Sequence, residues 1–214
     1  MEFFTKKKIG LKYSVINYKN HFIMLTNEHE ENTKIICVSK KNPNRKNWFD
    51  LIKNDNKINI KEIVCQKKFI ALLIQKDGFE TIGIINLREK IKKNKPKEIK
   101  YLNFSGLIYN LDLETHNDTN KVLISYTSYI VPKIYYEYNF EKDNIKIIYE
   151  RKVNNFNSEL YETELIYVSS HDNVKIPLSI VYKKEFGDLK NQPRSFLLSA
   201  YGSYGLVQAC VFGE

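Results

Sequence analysis

The chain has 214 residues, of which 43% are hydrophobic, 28% charged and 13% aromatic, and these proportions are typical of a soluble globular protein rather than of a disordered or fibrous one. Its net charge of +9 comes mostly from lysines, since only four of the 34 basic residues are arginines. A nucleic-acid surface more usually clusters arginines with aromatic residues, so we expect solvated lysines in loops and no nucleic-acid partner.

Membrane and metal chemistry are not expected either. No run approaches about 18 consecutive apolar residues, which predicts no membrane-spanning helix. The three cysteines, Cys37, Cys65 and Cys210, are odd in number and widely spaced, a pattern that makes neither a disulfide framework nor a zinc site. We therefore expect no metal, no cofactor, no membrane association and a cytoplasmic location.

Short apolar runs recur along the first two thirds of the chain. One run in each unit starts near Phe22, Phe69 and Val122, at offsets of 47 and 53 residues, and a second run follows at the same offsets. The runs are rich in Ile, Val, Tyr and Phe and are separated by polar turns, as β-strands are. In chain order they are 13–18, 21–27, 33–39 and 48–52, then 60–65, 68–75, 80–86 and 97–102, then 106–113, 121–128, 133–139 and 145–150.

Four strands at a period of about 40–50 residues predict the blades of a β-propeller. The predicted fold class is therefore mainly β, with a partial β-propeller of about three four-stranded blades; a single antiparallel sandwich is the alternative. Three blades do not close a ring, because a propeller needs at least about four blades that cover one another's faces. We expect the remainder of the propeller to lie outside these residues.

The pattern changes after the polar stretch 154–158. Leu160–Val168 and Val174–Val181 predict a hairpin, whose turn contains Asn173, a residue type that tolerates positive φ. The apolar run Ser195–Ala200 predicts a strand that leads into Tyr201, and an apolar strand ending in a Gly-flanked aromatic turn is how an α/β sheet brings polar groups to the rim of a site. The predicted domains are residues 1–155, the partial propeller, and 156–214, the truncated beginning of an α/β domain.

Three sequence motifs occur in order between residues 126 and 205. They are Tyr-Thr-Ser-Tyr-Ile-Val-Pro at 126–132, Ser-His-Asp-Asn-Val-Lys-Ile-Pro at 170–177 and Tyr-Gly-Ser-Tyr-Gly at 201–205. Their order and spacing resemble the prolyl oligopeptidase family of serine peptidases, and the oligopeptidase B branch most, in which the first two motifs read Y-x-S-x-x-x-P and S-x-D-G-x-x-x-P. The resemblance extends over nearly the whole chain from about Tyr13.

The resemblance implies a propeller that caps an α/β-hydrolase domain, which cuts short peptides with a Ser-Asp-His triad. Tyr201 matches the tyrosine whose hydroxyl belongs to the oxyanion hole, and Tyr204 matches an aromatic residue that lines the substrate pocket. Ordinary aromatic packing at the end of a strand is the alternative for both. Ser199 and Ala200 depart from the family's usual Tyr-Gly, and Asn173 stands in place of a usual Gly.

No G-x-S-x-G elbow, the usual setting of the nucleophile in this fold, occurs in the sequence. Ser203 is a near miss, because its Gly is adjacent to it instead of two residues before it. We therefore expect no nucleophile in this chain, a triad outside it and no hydrolysis by residues 1–214 alone.

The predicted function is thus part of a serine-type oligopeptidase acting on short peptides, and a non-catalytic propeller scaffold that binds peptides or a partner protein is the alternative. The stretch 206–212 lacks the acidic residues that oligopeptidase B relatives often carry, so a preference for cleaving after Arg or Lys is not implied.

Overall fold

The structure is a computed structural model that describes residues 9–28, 32–53, 55–76, 78–116, 118, 120–187, 195–202 and 208–213. Three four-stranded sheets and one two-stranded sheet make up this part of the chain, which confirms the predicted mainly β fold class and its four-stranded repeats. Within the described ranges, no helix is long and apolar enough to cross a membrane.

By their mutual contacts the residues divide into two compact units. The first unit comprises Met1–Phe104, Asp112–Ile124 and Glu137–Lys146, and the second comprises Ser105–Leu111, Ser125–Tyr136 and Ile147–Glu214. The division runs through the strands of the third sheet, so the contacts of that sheet are described below within each unit.

The first sheet consists of four consecutive strands in the order β1–β2–β3–β4. They are β1 (Tyr13–Tyr18), β2 (His21–Thr26), β3 (Lys34–Ser39) and β4 (Phe49–Asp50). The last strand is shorter than the predicted run 48–52, because a 3-10 turn at Arg45–Asn47 leads directly into it.

The second sheet repeats this arrangement, in the order β5–β6–β7–β8. Its strands are β5 (Ile58–Cys65), β6 (Phe69–Lys76), β7 (Phe79–Asn86) and β8 (Ile99–Leu102). The first six residues of β6 are all buried. A strand buried on both faces reads as a continuous apolar run rather than as an alternating one, which is why Phe-Ile-Ala-Leu-Leu-Ile contains no polar residue.

The first two sheets share one hydrophobic core. The register of β2 and β3 sets Ile23 opposite Cys37 and Leu25 opposite Ile35, on the face that packs against Ile70 and its neighbours. Burial of one such aliphatic side chain stabilises the fold by about 1.5–3 kcal/mol. The buried members of this core are Tyr18, Ile23, Ile35, Cys37, Leu51, Ile52, Ile58, Ile60, Ile70, Leu72, Ile74, Ile85 and Leu87.

The third sheet has the order β12–β11–β10–β9. Its strands are β9 (Asn110–Glu114), β10 (Lys121–Thr127), β11 (Ile134–Asn139) and β12 (Asn144–Glu150). As in the first two sheets, the four strands are consecutive in the chain and pair in chain order. The three sheets therefore reproduce the repeat that the apolar runs predict.

A hydrogen bond of the same kind recurs between successive repeats within the first unit. The hydroxyl of Tyr18, the last residue of β1, donates to the carbonyl of Lys67 at 3.0 Å. One repeat later, the side-chain amide of Gln66, which follows β5, donates to the carbonyl of Lys121 at 3.2 Å. Both donors stand at the end of the first strand of a sheet, so the sequence repeat is also a repeat of tertiary contacts.

The two-stranded sheet is the predicted hairpin, formed by β13 (Tyr161–Ser169) and β14 (Lys175–Lys183). The strand predicted over Ser195–Ala200 is not present, because residues 195–202 have no regular secondary structure. A strand needs the hydrogen bonds of a neighbour, and no strand among the described residues pairs with this segment. The boundary after residue 155 and the α/β-hydrolase assignment stay predictions.

Candidate functional site

Tyr201, the predicted oxyanion-hole residue, lies in the irregular segment 195–202. Its side chain is 50% exposed, and the preceding Leu197 and Leu198 are 97% and 77% exposed. Tyr201 is therefore only half-covered by the described residues. Tyr204, the predicted pocket residue, and Ser203 lie outside the described residues, so the predicted pair is not seen together.

The motif at 170–177 forms the turn of the hairpin. The carboxylate of Asp172 accepts hydrogen bonds from the Ser170 hydroxyl and, at 3.3 Å, from the Val174 amide. The hydrogen bond from Ser170, followed by that from Val174, lowers the pKa of the Asp172 carboxyl. Asn173 has φ of 65°, a left-handed conformation that Asn adopts more readily than most residues other than Gly. The departure from the family's usual Gly therefore leaves the turn intact.

The motif at 126–132 begins with a tyrosine anchored inside the second unit. The hydroxyl of Tyr126 donates to the carbonyl of Ser105 at 2.8 Å, and its ring lies 5.2 Å from that of Tyr109. Burial, followed by the neighbouring Tyr136 and Tyr109, raises the pKa of Tyr126 to about 12. The hydroxyl thus stays protonated at neutral pH and acts as a structural donor.

A glycine makes room for this tyrosine. Gly106 has φ of +109°, and a Cβ there would lie 2.9 Å from the Tyr126 hydroxyl oxygen. Both the backbone conformation and the close approach exclude a side chain. The packing of Tyr126, the first residue of the 126–132 motif, therefore depends on a glycine 20 positions upstream.

The C-terminal segment 208–213 is attached to the same motif. The amide of Phe212 donates to the Thr127 hydroxyl oxygen at 3.3 Å, and this hydroxyl in turn donates to the carbonyl of Val131 at 3.1 Å. The Phe212 ring meets the Phe156 ring edge-on at 4.7 Å. Within the second unit, the structure therefore joins the chain that follows the Tyr201 motif to the 126–132 loop and to Phe156.

Cys210 belongs to this attachment as well. Its sulfur lies 4.0 Å from the Ser179 hydroxyl on β14. Burial, followed by a hydrogen bond with Cys210, raises the pKa of Tyr129 to about 12. The sequence did not predict the contacts of Thr127, Phe212 and Cys210, because contacts between residues so far apart in the chain leave no local pattern.

The described residues contain no candidate metal centre, and the other two cysteines, Cys37 and Cys65, are not reactive thiols. No group of three or more His, Cys, Asp or Glu in the described part of the chain could hold a metal ion. Burial raises the pKa of Cys37 to about 12 and that of Cys65 to about 11. Both therefore stay neutral thiols at physiological pH, which does not suit them to act as nucleophiles.

Comparison with known protein families identifies the family in which this arrangement of sheets and motifs occurs. Residues 1–151 match the model of the prolyl oligopeptidase N-terminal β-propeller domain. This chain belongs to the prolyl oligopeptidase family. The family that the three motifs indicate is thereby confirmed, and the three four-stranded sheets are blades of its propeller domain.

Relatives within the family match almost the whole chain. Protease 2 of Moraxella lacunata is 21% identical over 208 residues, which cover 96% of this chain and 28% of that protein. Oligopeptidase B from Trypanosoma brucei, solved in a closed form with covalently bound antipain, is 25% identical with a TM-score of 0.82. Oligopeptidase B from Leishmania major is 21% identical with a TM-score of 0.84.

These matches cover most of this chain but less than a third of each relative. Each oligopeptidase B structure matches 95% of this chain, but this chain covers only 29% of either one. The chain thus spans less than a third of the length of the family members it matches. Of the two predicted site residues, the described part of the chain includes Tyr201.

Proposed function

We propose that this chain is part of a serine-type oligopeptidase that hydrolyses peptide bonds in short peptides. The match of residues 1–151 to the family's propeller domain carries the proposal, together with relatives named as peptidases. The sequence contains no G-x-S-x-G elbow, so the Ser-Asp-His triad would lie outside these residues, in the part of the relatives that the chain does not cover. Residues 1–214 alone would then hydrolyse nothing.

Tyr201 would act in the complete protein as an oxyanion-hole donor. When the nucleophile attacks a peptide carbonyl, negative charge develops on the carbonyl oxygen, and a preorganised hydroxyl stabilises that charge. This role rests on the match of Tyr201 to the family's oxyanion-hole tyrosine, and the Tyr201 side chain is half-exposed in this structure. Tyr204 would line the substrate pocket three residues later. We further propose a cytoplasmic location and the absence of nucleic-acid, membrane and cofactor partners.

The length of the native polypeptide tests the proposal first. An antibody raised against residues 159–200 should detect, in the source cells, a band of about three times the 25.3 kDa of this chain. A fluorophosphonate probe should label that band and should not label purified residues 1–214. A native band at the mass of this chain, without labelling, would overturn the peptidase proposal in favour of a non-catalytic scaffold.

The role of Tyr201 is tested in the unlabelled, full-length protein. Tyr201→Phe should lower kcat/KM for a short peptide substrate by about 100- to 1000-fold, because one oxyanion-hole donor is lost. Its effect should fall mainly on kcat, since the interaction is made in the transition state. Tyr149→Phe, on the exposed strand β12, is the matched control and should leave kcat/KM unchanged. A similar small loss in both variants would assign Tyr201 to packing.

A further inference from the structure

The last strands of the three four-stranded sheets differ in length and in exposure. β4 has two residues and β8 has four, whereas β12 has seven. On β12, Ile147, Ile148 and Tyr149 are 53%, 46% and 56% exposed. Proteins usually protect a sheet edge by keeping the strand short or by interrupting it with charges or proline. β4 and β8 follow this rule by being short, whereas β12 is a seven-residue edge strand with three consecutive exposed apolar residues between Lys146 and Glu150.

The sequence of β12 is complementary to itself. If two copies of Asn144–Glu150 pair antiparallel with Ile148 opposite Ile148, Lys146 of each copy stands opposite Glu150 of the other. Because side chains alternate between faces, both charge pairs lie on the face of Ile148. On the other face Ile147 stands opposite Tyr149, a β-branched residue against an aromatic one. Opposite charges and aromatic–β-branched pairs are both favourable cross-strand neighbours.

Contacts within the sheet already position these side chains. Lys146 lies 3.2 Å from the Glu137 carboxylate on β11, yet it remains 61% exposed. The Tyr149 ring lies 6.0 Å from the Tyr135 ring on the same neighbouring strand. Side chains that are held in place before association lose less conformational entropy when a partner binds.

The two strands of the C-terminal hairpin, β13 and β14, do not share this complementarity. β13 carries Glu162 and Glu164 but no basic residue, so self-pairing brings no opposite charges together. Self-pairing of β14 about its central Ser179 would set Lys175 opposite Lys183, which is repulsive. Pro177 also removes a backbone donor from β14.

We propose that two copies of this chain associate through antiparallel pairing of their β12 strands. The two third sheets then form one continuous sheet across a two-fold axis at Ile148, with two Lys146–Glu150 pairs. Such a contact is isologous and closes on itself, so it gives a dimer and not a fibre. This surface is independent of the proposed peptidase activity.

Charge reversal tests the register. Sedimentation of the protein at its native length should show a monomer–dimer equilibrium, and Lys146→Glu or Glu150→Lys alone should weaken the dimer by about tenfold or more, because two attractive pairs become repulsive. An equimolar mixture of the two variants should form mixed dimers, since both pairs are then attractive again. Lys142→Glu, in the exposed turn before β12, is the control and should not change the dimer.

Disulfide cross-linking tests the same β12–β12 contact and can be done in unpurified protein. In a background with Cys37, Cys65 and Cys210 replaced by serine, Ile148→Cys should form a disulfide-linked dimer under mild oxidation, because the two-fold axis places this residue opposite itself. Lys142→Cys should not. A chain that stays monomeric to about 200 μM, single variants that dimerise like the wild type, or equal cross-linking at both cysteines would each overturn the proposal.

Discussion

The second sheet and the C-terminal hairpin are built from strands of similar apolar content, but they differ in burial. In β6 the first six residues are buried, and Ile70 has no exposed surface. In β13 and β14 no residue is buried, and Ile166 is 38% exposed. The difference does not lie in the strands themselves, because β14 contains Ile-Pro-Leu-Ser-Ile-Val. It lies in what covers them, since β6 packs in a core shared by two sheets.

This comparison separates the formation of a strand from its burial. A hairpin needs only the ladder between its two strands, and the β13–β14 register runs without a break from Tyr161 opposite Lys183 to Ser169 opposite Lys175. A two-stranded sheet is marginal by itself, whereas stacked layers gain from the apolar area that they bury. Substitutions in the two units therefore test how strongly burial contributes to the stability of each region.

Equivalent truncations in the two regions should differ most. Ile70→Ala should lower the free energy of unfolding by about 2–5 kcal/mol, because it leaves a cavity in a closed core. Ile166→Ala on β13 should cost less than about 1 kcal/mol. Urea denaturation followed by far-ultraviolet circular dichroism measures both. Equal losses would show that the hairpin is covered in solution, for example by a second copy, and would break the comparison.

Within the second unit, the packed loop at Tyr126 should be more sensitive than the open end of the hairpin. Gly106→Ala should cost about 1–3 kcal/mol, since the new Cβ meets the Tyr126 hydroxyl and the backbone has positive φ. Gly187→Ala is the matched control, because Gly187 also has positive φ but nothing lies within 4 Å of its Cβ position. Thermal unfolding measures both variants. Equal losses would mean that the contact with Tyr126 contributes nothing.

In the first unit, a buried carboxylate gives a smaller effect that depends on pH. Burial alone would raise the pKa of Glu137, but hydrogen bonds from Lys121 and Lys146 lower it below its ordinary value of 4.5. A lowered pKa in the folded state means that the carboxylate stabilises the fold above its unfolded pKa and that this contribution is lost as the pH falls through the folded pKa. Glu137→Gln should therefore cost about 1 kcal/mol near pH 7.

Chemical denaturation at two pH values checks this prediction. The difference between Glu137→Gln and the wild type should shrink as the pH falls through the lowered pKa of Glu137, because the wild-type carboxylate takes up its proton there. Glu89→Gln removes a carboxylate that is 71% exposed and contacts Lys95 and Lys97, and it should have little effect at either pH. A pH-independent loss in Glu137→Gln would assign the effect to packing rather than to charge.

Sequence patterns predicted most strands of the repeats closely, although the run 106–113 begins four residues before β9. The run 13–18 coincides with β1, and the run 145–150 differs from β12 only by starting one residue late. Local chemistry was also readable at the hairpin turn, where Asn173 has the positive φ that its residue type allows. These features depend on residues near one another in the chain, such as alternating apolar positions and turn residues.

The prediction of a strand over Ser195–Ala200 was wrong for the structure of these residues. The run is as apolar as the central strands, but an apolar pattern forms a strand only where a neighbouring strand supplies the ladder. The same reason explains why the sequence did not point to Thr127 and Phe212, which meet across 85 positions. The predicted roles of Tyr201 and Tyr204 stay predictions, and they rest on the family motif rather than on local geometry.

The amino-acid sequence by itself determined the number of repeats, the strands within them and, through the order of three motifs, the family. Tertiary structure alone decided which apolar runs are buried, how Gly106 admits Tyr126, and which strand is left as a long open edge. The physical reason is the distance along the chain over which each effect acts. Propensity and alternation act over a few residues, whereas burial and ladder pairing depend on which distant segment lies alongside, and that is settled only when the chain packs.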